Sequence, residues 1–119
     1  MLNGIIVAMG GAIGAVLRYL IGLLPLNPQN GFPLKTFCIN VVGAFVIGLV
    51  AALSARASLN PRLTLFLKVG ICGGFTTFSS FALETETLLG KGNQTIALLY
   101  VVSSLVCGVL AVAVAESLV

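Results

Sequence analysis

The sequence contains no histidine and no tryptophan, and charged residues make up only 8% of its 119 positions. Its three carboxylates, Glu84, Glu86 and Glu116, lie near the ends of apolar segments. Nothing beside them supplies a base, a nucleophile or a metal centre. We therefore expect that the protein is not an enzyme.

Cysteine and cationic residues are also scarce. Cys38, Cys72 and Cys107 lie inside apolar segments at no metal-ligand spacing, so we expect them to act as small apolar fillers. The net charge is +3, but the six cations are scattered around helix ends rather than clustered. A nucleic-acid partner is therefore not expected.

Apolar residues dominate, at 59% of the chain with a mean hydropathy of +1.18. This composition is typical of an integral membrane protein. Glycine, proline, asparagine or charged residues separate four apolar segments. We predict one all-α transmembrane domain over residues 1–119, a multi-pass protein of the cell inner (plasma) membrane. Its helices are expected at about 3–24, 34–54, 63–88 and 96–118.

The third segment contains the stretch GICGGFTTFSSF, residues 70–81. Its glycines weaken a helix, and its threonines and serines compete for the backbone hydrogen bonds. The stretch lies near the bilayer centre, so we predict a helix broken near the midplane, one piece ending near Gly73 and the next beginning near Thr76. Such helix ends hold ions in membrane proteins. The alternative is an unbroken, tightly packed helix whose rings face lipid, but four hydroxyls and three rings at one depth favour an ion site.

Polar side chains from all four helices fall within one band, at a depth of roughly 6 to 15 Å from one membrane face. Each of them could merely tie helices together by hydrogen bonds. Their agreement in depth favours a pathway instead. The band consists of Arg18, Asn40, Phe78, Phe81, Tyr100 and Ser104, with Thr36 and Glu84 nearer the surface.

The chemistry of this band suits a passive anion pathway. It offers amide and hydroxyl donors, the cation of Arg18, and the electropositive ring edges of Phe78 and Phe81. A small proton-coupled multidrug exporter is the alternative, but that mechanism needs a carboxylate in the first helix, which has only Arg18. A structural subunit of a larger complex would explain the many glycines and not the band of donors.

Charges flanking the helices are balanced between the two membrane faces. Arg56, Arg62 and the inner Lys68 are associated with one face, and Lys35, Lys91 and the inner Arg18 with the other. The positive-inside rule therefore gives no preferred orientation. We expect the chain to insert both ways and to pair as an antiparallel, dual-topology homodimer. A weak bias, too small to detect from six charges, is the alternative.

Over nearly its whole length the chain resembles the Fluc (CrcB) family of fluoride channels. The first helix carries the family motif GGxxGAxxRY complete, at residues 10–19. The second matches Thr-x-x-x-Asn-x-x-Gly at residues 36–43, although Lys35 stands where glycine is usual. The third matches GGxTTFSTF at residues 73–81, where Ser80 replaces threonine and keeps the hydroxyl.

This resemblance implies a passive, fluoride-selective channel that exports cytoplasmic fluoride, built as an antiparallel homodimer with two pores and a central structural sodium ion. Phe78 and Phe81 would be the paired rings of the pore, and Gly73 and Thr76 would give main-chain carbonyls to sodium at the dimer interface. A monovalent ion also suits a depth without acidic residues. The other pore residues implied are Asn40, Thr36, Tyr100, Ser104 and Arg18, the last beside an aqueous vestibule. Some relatives have a further hydroxyl where this chain has Gly108, which leaves the length of the polar track open.

Overall fold

Four helical spans run along the length of the molecule, and the computed structural model describes all 119 residues. Each span is long and apolar enough to cross a membrane. The molecule measures 48 Å along its longest axis, more than the ~30 Å hydrocarbon core of a bilayer. Helix ends differ from the predicted ones by at most two residues. The spans are α1 (Leu2–Gly22), α2 (Leu34–Arg56), a third span (Pro61–Gly90) that consists of several pieces, and a last helix (Gln94–Ser117).

The third span is not a continuous α-helix. Thr76 and Thr77 are both extended, with ψ of 155° and 112°, so the chain is broken there. The break lies three residues after Gly73, where the first piece was expected to end, because Gly73 and Gly74 keep helical geometry. The residues before the break, 61–75, form the first half-helix. It consists of α3 (Pro61–Thr64), a π-helical segment (Leu65–Cys72) and α4 (Gly73–Phe75), and after the break come α5 (Phe78–Gly90) and the last span, α6 (Gln94–Ser117).

Side-chain caps fix the starts of both halves of the third span. The Asn60 side chain accepts a hydrogen bond from the Arg62 N–H at 2.8 Å, and Pro61 at the first helical position suits the fixed φ of proline. At the break, the Thr77 hydroxyl accepts from the Ser80 N–H at 3.1 Å. The threonines that weaken a helix here therefore also start the next one.

α1 packs against the first half-helix with backbone touching backbone. A Cβ added at Gly10 would lie 2.6 Å from the Phe66 carbonyl oxygen, and one at Gly14 would overlap the Ile71 carbonyl oxygen. The π-helical segment was not predicted from the sequence. It supplies the carbonyls that face these glycines, so the close approach of the two backbones depends on both partners.

α2 packs mainly against α6, and the two pairs of helices alternate along the chain. Gly48 makes the contact possible, because a Cβ there would lie 2.9 Å from the Val112 carbonyl oxygen. The first span thus pairs with the third, and the second with the fourth. Large apolar side chains cover the outside of the spans, as expected for a surface in contact with lipid.

Candidate functional site

The side chain of Asn40 on α2 replaces the helical hydrogen bonds lost at the break. Its Oδ1 accepts from the Thr77 N–H at 2.8 Å, and its Nδ2 donates to the Thr77 carbonyl at 3.2 Å. One turn further along α2, Gly43 leaves room for the Thr76 methyl group, which occupies the space that a Cβ would take. Contacts from the neighbouring helix α2 therefore hold the two helix ends apart, so the break is a specific, stabilised feature of the fold.

Two main-chain carbonyls at the break lose the donors they would meet in a continuous helix. The partner of the Gly73 carbonyl would be the Thr77 N–H, which instead donates to Asn40. The partner of the Thr76 carbonyl would be the Ser80 N–H, which donates to the Thr77 hydroxyl. They are the two carbonyls that would bind sodium according to the family resemblance. Both are oxygen ligands of a type suited to a hard cation.

A cleft of about 340 Å³, here called the phenylalanine cleft, opens beside the break. The rings of Phe78 and Phe81 lie 5.8 Å apart, centre to centre, on consecutive turns of α5. No carboxylate lines this cleft. It also lies at the N-terminus of α5, the positive end of the helix dipole. Its lining includes Asn40, Thr76, Thr77, Phe78, Phe81 and Ser104.

Ser104 of α6 carries the one buried side-chain oxygen in the molecule that has no hydrogen-bond partner. A buried hydroxyl without a partner costs about 1–3 kcal/mol, so Ser104 offers a free donor to a water molecule or an ion in the phenylalanine cleft. The Asn40 amide also has a second N–H beyond the one bound to Thr77. Together with the positive ring edges, these donors can solvate an anion.

Glu84 of α5 joins two of the predicted pore residues that do not line the phenylalanine cleft. Thr36 donates its hydroxyl to one carboxylate oxygen at 2.8 Å, and Tyr100 donates to the other at 2.9 Å. The Tyr100 side chain is completely buried, and its ring centre lies 5.0 Å from that of Phe81. Thr36, Glu84 and Tyr100, here called the carboxylate cluster, therefore adjoin the phenylalanine cleft through Phe81.

Beyond the carboxylate cluster lies a second opening of about 390 Å³, between the α1–α2 and α5–α6 connections. We call it the loop cleft. Glu84 lines its inner end, and only two of its eleven lining residues are hydrophobic. The α5–α6 connection is tied to the α1–α2 connection by Asn93, whose amide donates to the Asn30 carbonyl at 3.3 Å. A polar opening large enough to hold water thus reaches the carboxylate cluster from one end of the molecule.

Arg18 lies apart from both clefts. Its Nε donates to the Gly74 carbonyl at 3.2 Å, at the C-terminal end of the first half-helix. A cation there complements the negative end of the helix dipole. The structure therefore associates Arg18 with the break itself, and it brings Asn40, Phe78, Phe81 and Ser104 together in one cleft.

The part played by Glu84 was not predicted from the sequence, which indicated only a residue near the membrane surface. A signal was available, since Glu84 follows Phe81 by three residues and Thr77 by seven, positions that share one face of a helix. Its partners Thr36 and Tyr100 had been placed at a similar depth. Tyrosine and threonine hydroxyls buried near a carboxylate usually donate to it.

Residues 5–115 match the family described as CrcB-like protein, Camphor Resistance (CrcB). A relative from Agrobacterium fabrum is 45% identical over 116 residues, which is 94% of this chain and 91% of the relative. One from Thermus thermophilus is 47% identical over 105 residues, 87% of this chain and 84% of the relative. Both are named fluoride-specific ion channel FluC, and with four membrane-length helices the present chain is a multi-pass membrane protein.

Proposed function

Because the chain belongs to the CrcB-like family, which is a family of ion channels rather than enzymes, we propose that it is a passive fluoride-selective channel. It would export cytoplasmic fluoride across the plasma membrane and so confer fluoride resistance. The names of its relatives support the choice of ion. The observation that carries the proposal is the unpartnered Ser104 hydroxyl, buried beside two phenylalanine rings and a spare amide N–H in a cleft without a carboxylate.

The proposed path runs from the loop cleft past the carboxylate cluster to the phenylalanine cleft. Fluoride is small and strongly hydrated, so a path must replace its water by donors fixed at short range. The Ser104 hydroxyl and the second N–H of Asn40 provide such donors in the phenylalanine cleft, and the ring edges of Phe81 and Phe78 lie beside them. The Tyr100 hydroxyl, which donates to Glu84, would have to exchange that partner for the ion. A larger, less strongly hydrated anion such as chloride gains less from these small hydroxyl and amide donors.

We further propose that two copies pair antiparallel, with one such path in each half of the dimer. Phe78 supports this, since 78% of its side chain is exposed on the single chain beside the polar backbone of the break. Thr76 and Thr77 are also only partly covered. Extended backbone at mid-membrane depth is tolerated only where protein or water surrounds it. A second copy inserted the other way would cover this surface, and the balanced flanking charges allow that insertion.

A structural sodium ion at the centre of the dimer is the remaining part of the proposal. The Gly73 and Thr76 carbonyls fit it, because their helical donors are diverted to Asn40 and to the Thr77 hydroxyl. Two copies would bring four such oxygens together. The ion would supply positive charge that holds the two breaks in register. It would not travel with fluoride.

Fluoride would move down its own electrochemical gradient. HF crosses membranes, dissociates in a near-neutral cytoplasm and leaves the anion trapped inside. An inside-negative membrane potential favours exit of the anion by about 2.3 kcal/mol per charge for each 100 mV. No proton coupling is needed, and α1 offers no carboxylate to carry a proton.

Efflux from liposomes tests the proposal directly. Purified protein should release fluoride, and not chloride, only after a potassium ionophore dissipates the charge. Phe78→Ile and Phe81→Ile keep apolar bulk but lose the positive ring edge, so each should lower flux by at least tenfold, or ~1.4 kcal/mol in barrier. Equal chloride and fluoride rates, or uphill drug export driven by protons, would refute the proposal.

The dimer and its ion need separate tests. Gln94→Cys, in a chain whose three native cysteines are replaced, should be labelled from both sides of the membrane. Slow, complete replacement of sodium by a large organic cation should abolish flux, and sodium should restore it. Labelling from one side alone would refute the antiparallel pairing, and flux indifferent to sodium would refute the ion.

A further inference from the structure

We propose that Lys91 is an electrostatic capture residue that concentrates hydrated fluoride in the loop cleft before the ion loses its water. This inference rests on the proposed function and adds to it a named step at the mouth of the path. It concerns only residues that line the loop cleft of one chain.

The loop cleft has the size and lining of a water-filled antechamber. Its volume of about 390 Å³ would hold roughly thirteen waters at about 30 Å³ each. Four carboxamide side chains line it, and amides can exchange hydrogen bonds with water and with an anion. An ion in this space can therefore keep most of its hydration shell. The four are Asn27, Gln29, Asn30 and Asn93.

Two features of this cleft repel an anion. Glu84 carries a carboxylate at its inner end, and the hydroxyls of Thr36 and Tyr100 already donate to that group. The C-terminal end of α5, the negative end of its dipole, also lies here, because the helix ends at Gly90. Without a compensating cation, the local concentration of fluoride at the mouth would fall below that in solution.

Lys91 is the only cationic residue that lines the loop cleft, and it caps the C-terminus of α5. It follows Glu84 by seven residues, about 10 Å along the helix axis. Lys35 lies at the same end of the molecule but is committed elsewhere, since its Nζ donates to the Gly22 carbonyl at 2.8 Å. The exposed side chain of Lys91 is therefore the one cation available to offset the repulsion from Glu84 and from the α5 dipole.

The expected size follows from the distance and from screening. A unit charge ~10 Å from an ion in a mostly aqueous cleft changes its local concentration by about two- to fourfold at ~10 mM salt. The Debye length is then about 30 Å, and it falls to about 3 Å at 1 M salt, where the effect should vanish. An electrostatic role therefore has a signature, dependence on ionic strength, that a purely structural role lacks.

The test is initial fluoride efflux from neutral-lipid liposomes between ~10 mM and ~1 M of an impermeant potassium salt. The wild type should slow by about threefold as salt rises, and Lys91→Arg should behave in the same way. Lys91→Gln should start below the wild type at low salt and should not slow as salt rises, because only the repulsion from Glu84 and from the α5 dipole is left to be screened. Lys91→Glu should speed up more steeply as salt rises. Arg62→Gln is the matched control, because it removes an exposed cation that lines a different cleft at the other end of the chain.

Three outcomes decide the matter. A Lys91→Gln profile that does not fall as salt rises, beside a falling one for Arg62→Gln, supports the capture role. A Lys91→Gln profile that follows the wild type overturns the capture role and leaves the channel function intact. Absence of fluoride efflux from the wild type at any salt concentration overturns the proposed function, and the capture role with it.

Discussion

The two halves of the third span pack in opposite ways. The first half-helix lies against α1 through bare backbone, with Gly10 and Gly14 facing the carbonyls of the π-helical segment. α5 instead meets α2 and α6 through side chains, with Glu84 bound to Thr36 and Tyr100. The first half is held by the close fit of backbone against backbone, and the second by side-chain hydrogen bonds. Only Thr76 and Thr77 separate the two halves along the chain.

The two kinds of packing have different expected roles: the backbone contacts hold the structure together, and the side-chain contacts serve ion flux. Backbone contacts of this kind offer no donor, so Gly10 and Gly14 can hold α1 in position but cannot themselves solvate an anion. Around α5 lie hydroxyls, an amide and a carboxylate. Such groups can exchange one hydrogen-bond partner for another, or for an ion. Substitutions on the first side should therefore affect assembly, and those on the second should affect flux in an assembled protein.

The largest effect is expected for Gly14→Ala. The added Cβ would overlap the Ile71 carbonyl and lie 2.7 Å from the Phe75 nitrogen, both backbone atoms that cannot rotate away. Overpacking usually costs about 1–3 kcal/mol, and more where backbone must shift. We expect little or no monodisperse protein on gel filtration in detergent. Gly11→Ala is the control from the same motif, since its nearest neighbour would be the Gly70 carbonyl oxygen at 3.9 Å. Equal yields of both variants would contradict the proposed backbone fit.

Asn40→Ala should come next and should act on flux. It removes both hydrogen bonds to the Thr77 backbone and leaves two polar groups unpaired, at about 1–3 kcal/mol each. We expect a protein that stays monodisperse in detergent and whose fluoride efflux is reduced by about a hundredfold. Cys38→Ala, on the exposed face of α2, should keep its flux. If Asn40→Ala lost its flux because the protein failed to assemble, the proposed division between a supporting half and a functional half would be wrong.

Tyr100→Phe should have a moderate effect. The ring keeps its packing against Phe81, but one oxygen of Glu84 loses its donor. A loss of about 1–2 kcal/mol in that interaction corresponds to roughly a tenfold fall in efflux. Tyr19→Phe is the matched control, because the Tyr19 side chain is 65% exposed. A fall of the same size in both variants would show that the effect does not arise at the carboxylate cluster.

The smallest effect is expected for Gly108→Ser. No atom lies within 4 Å of a Cβ added at Gly108, so this glycine, unlike Gly14, is not required by packing. Thermal stability should stay within about 0.5 kcal/mol of the wild type, as for surface substitutions. Fluoride efflux should change by less than about twofold. A large loss of stability would show that this face of α6 is covered in the assembled protein.

Much of the fold follows from the sequence, for identifiable reasons. The hydropathy of the four segments predicts four spans, because a bilayer core demands long apolar helices. The break was predicted from its glycines and hydroxyls, but it lies at Thr76 and Thr77. Packing can override the low helix propensity of glycine, and the close contact of Gly74 with the Gly11 backbone of α1 keeps this segment helical. The π-helical segment has no marker of its own in the sequence, since it depends on the fit to another helix.

The candidate site was predictable in part. The sequence places Asn40, Phe78 and Ser104 at one depth, and the structure brings them to one cleft. Their roles in fluoride transport stay predictions. Depth alone does not show which donor meets which acceptor, so the exchange of hydrogen bonds between Asn40 and Thr77, and the binding of Thr36 and Tyr100 to Glu84, needed three dimensions.

The alternating pairing of the spans has a consequence for synthesis. α2 leaves the ribosome early, but the surface around Gly48 fits α6, which is made last. Until that final span enters the bilayer, the Gly48 surface of α2 has no partner, although α1 and the third span can already pair through Gly10 and Gly14. The contact around Gly48 can therefore form only after α6 has been translated.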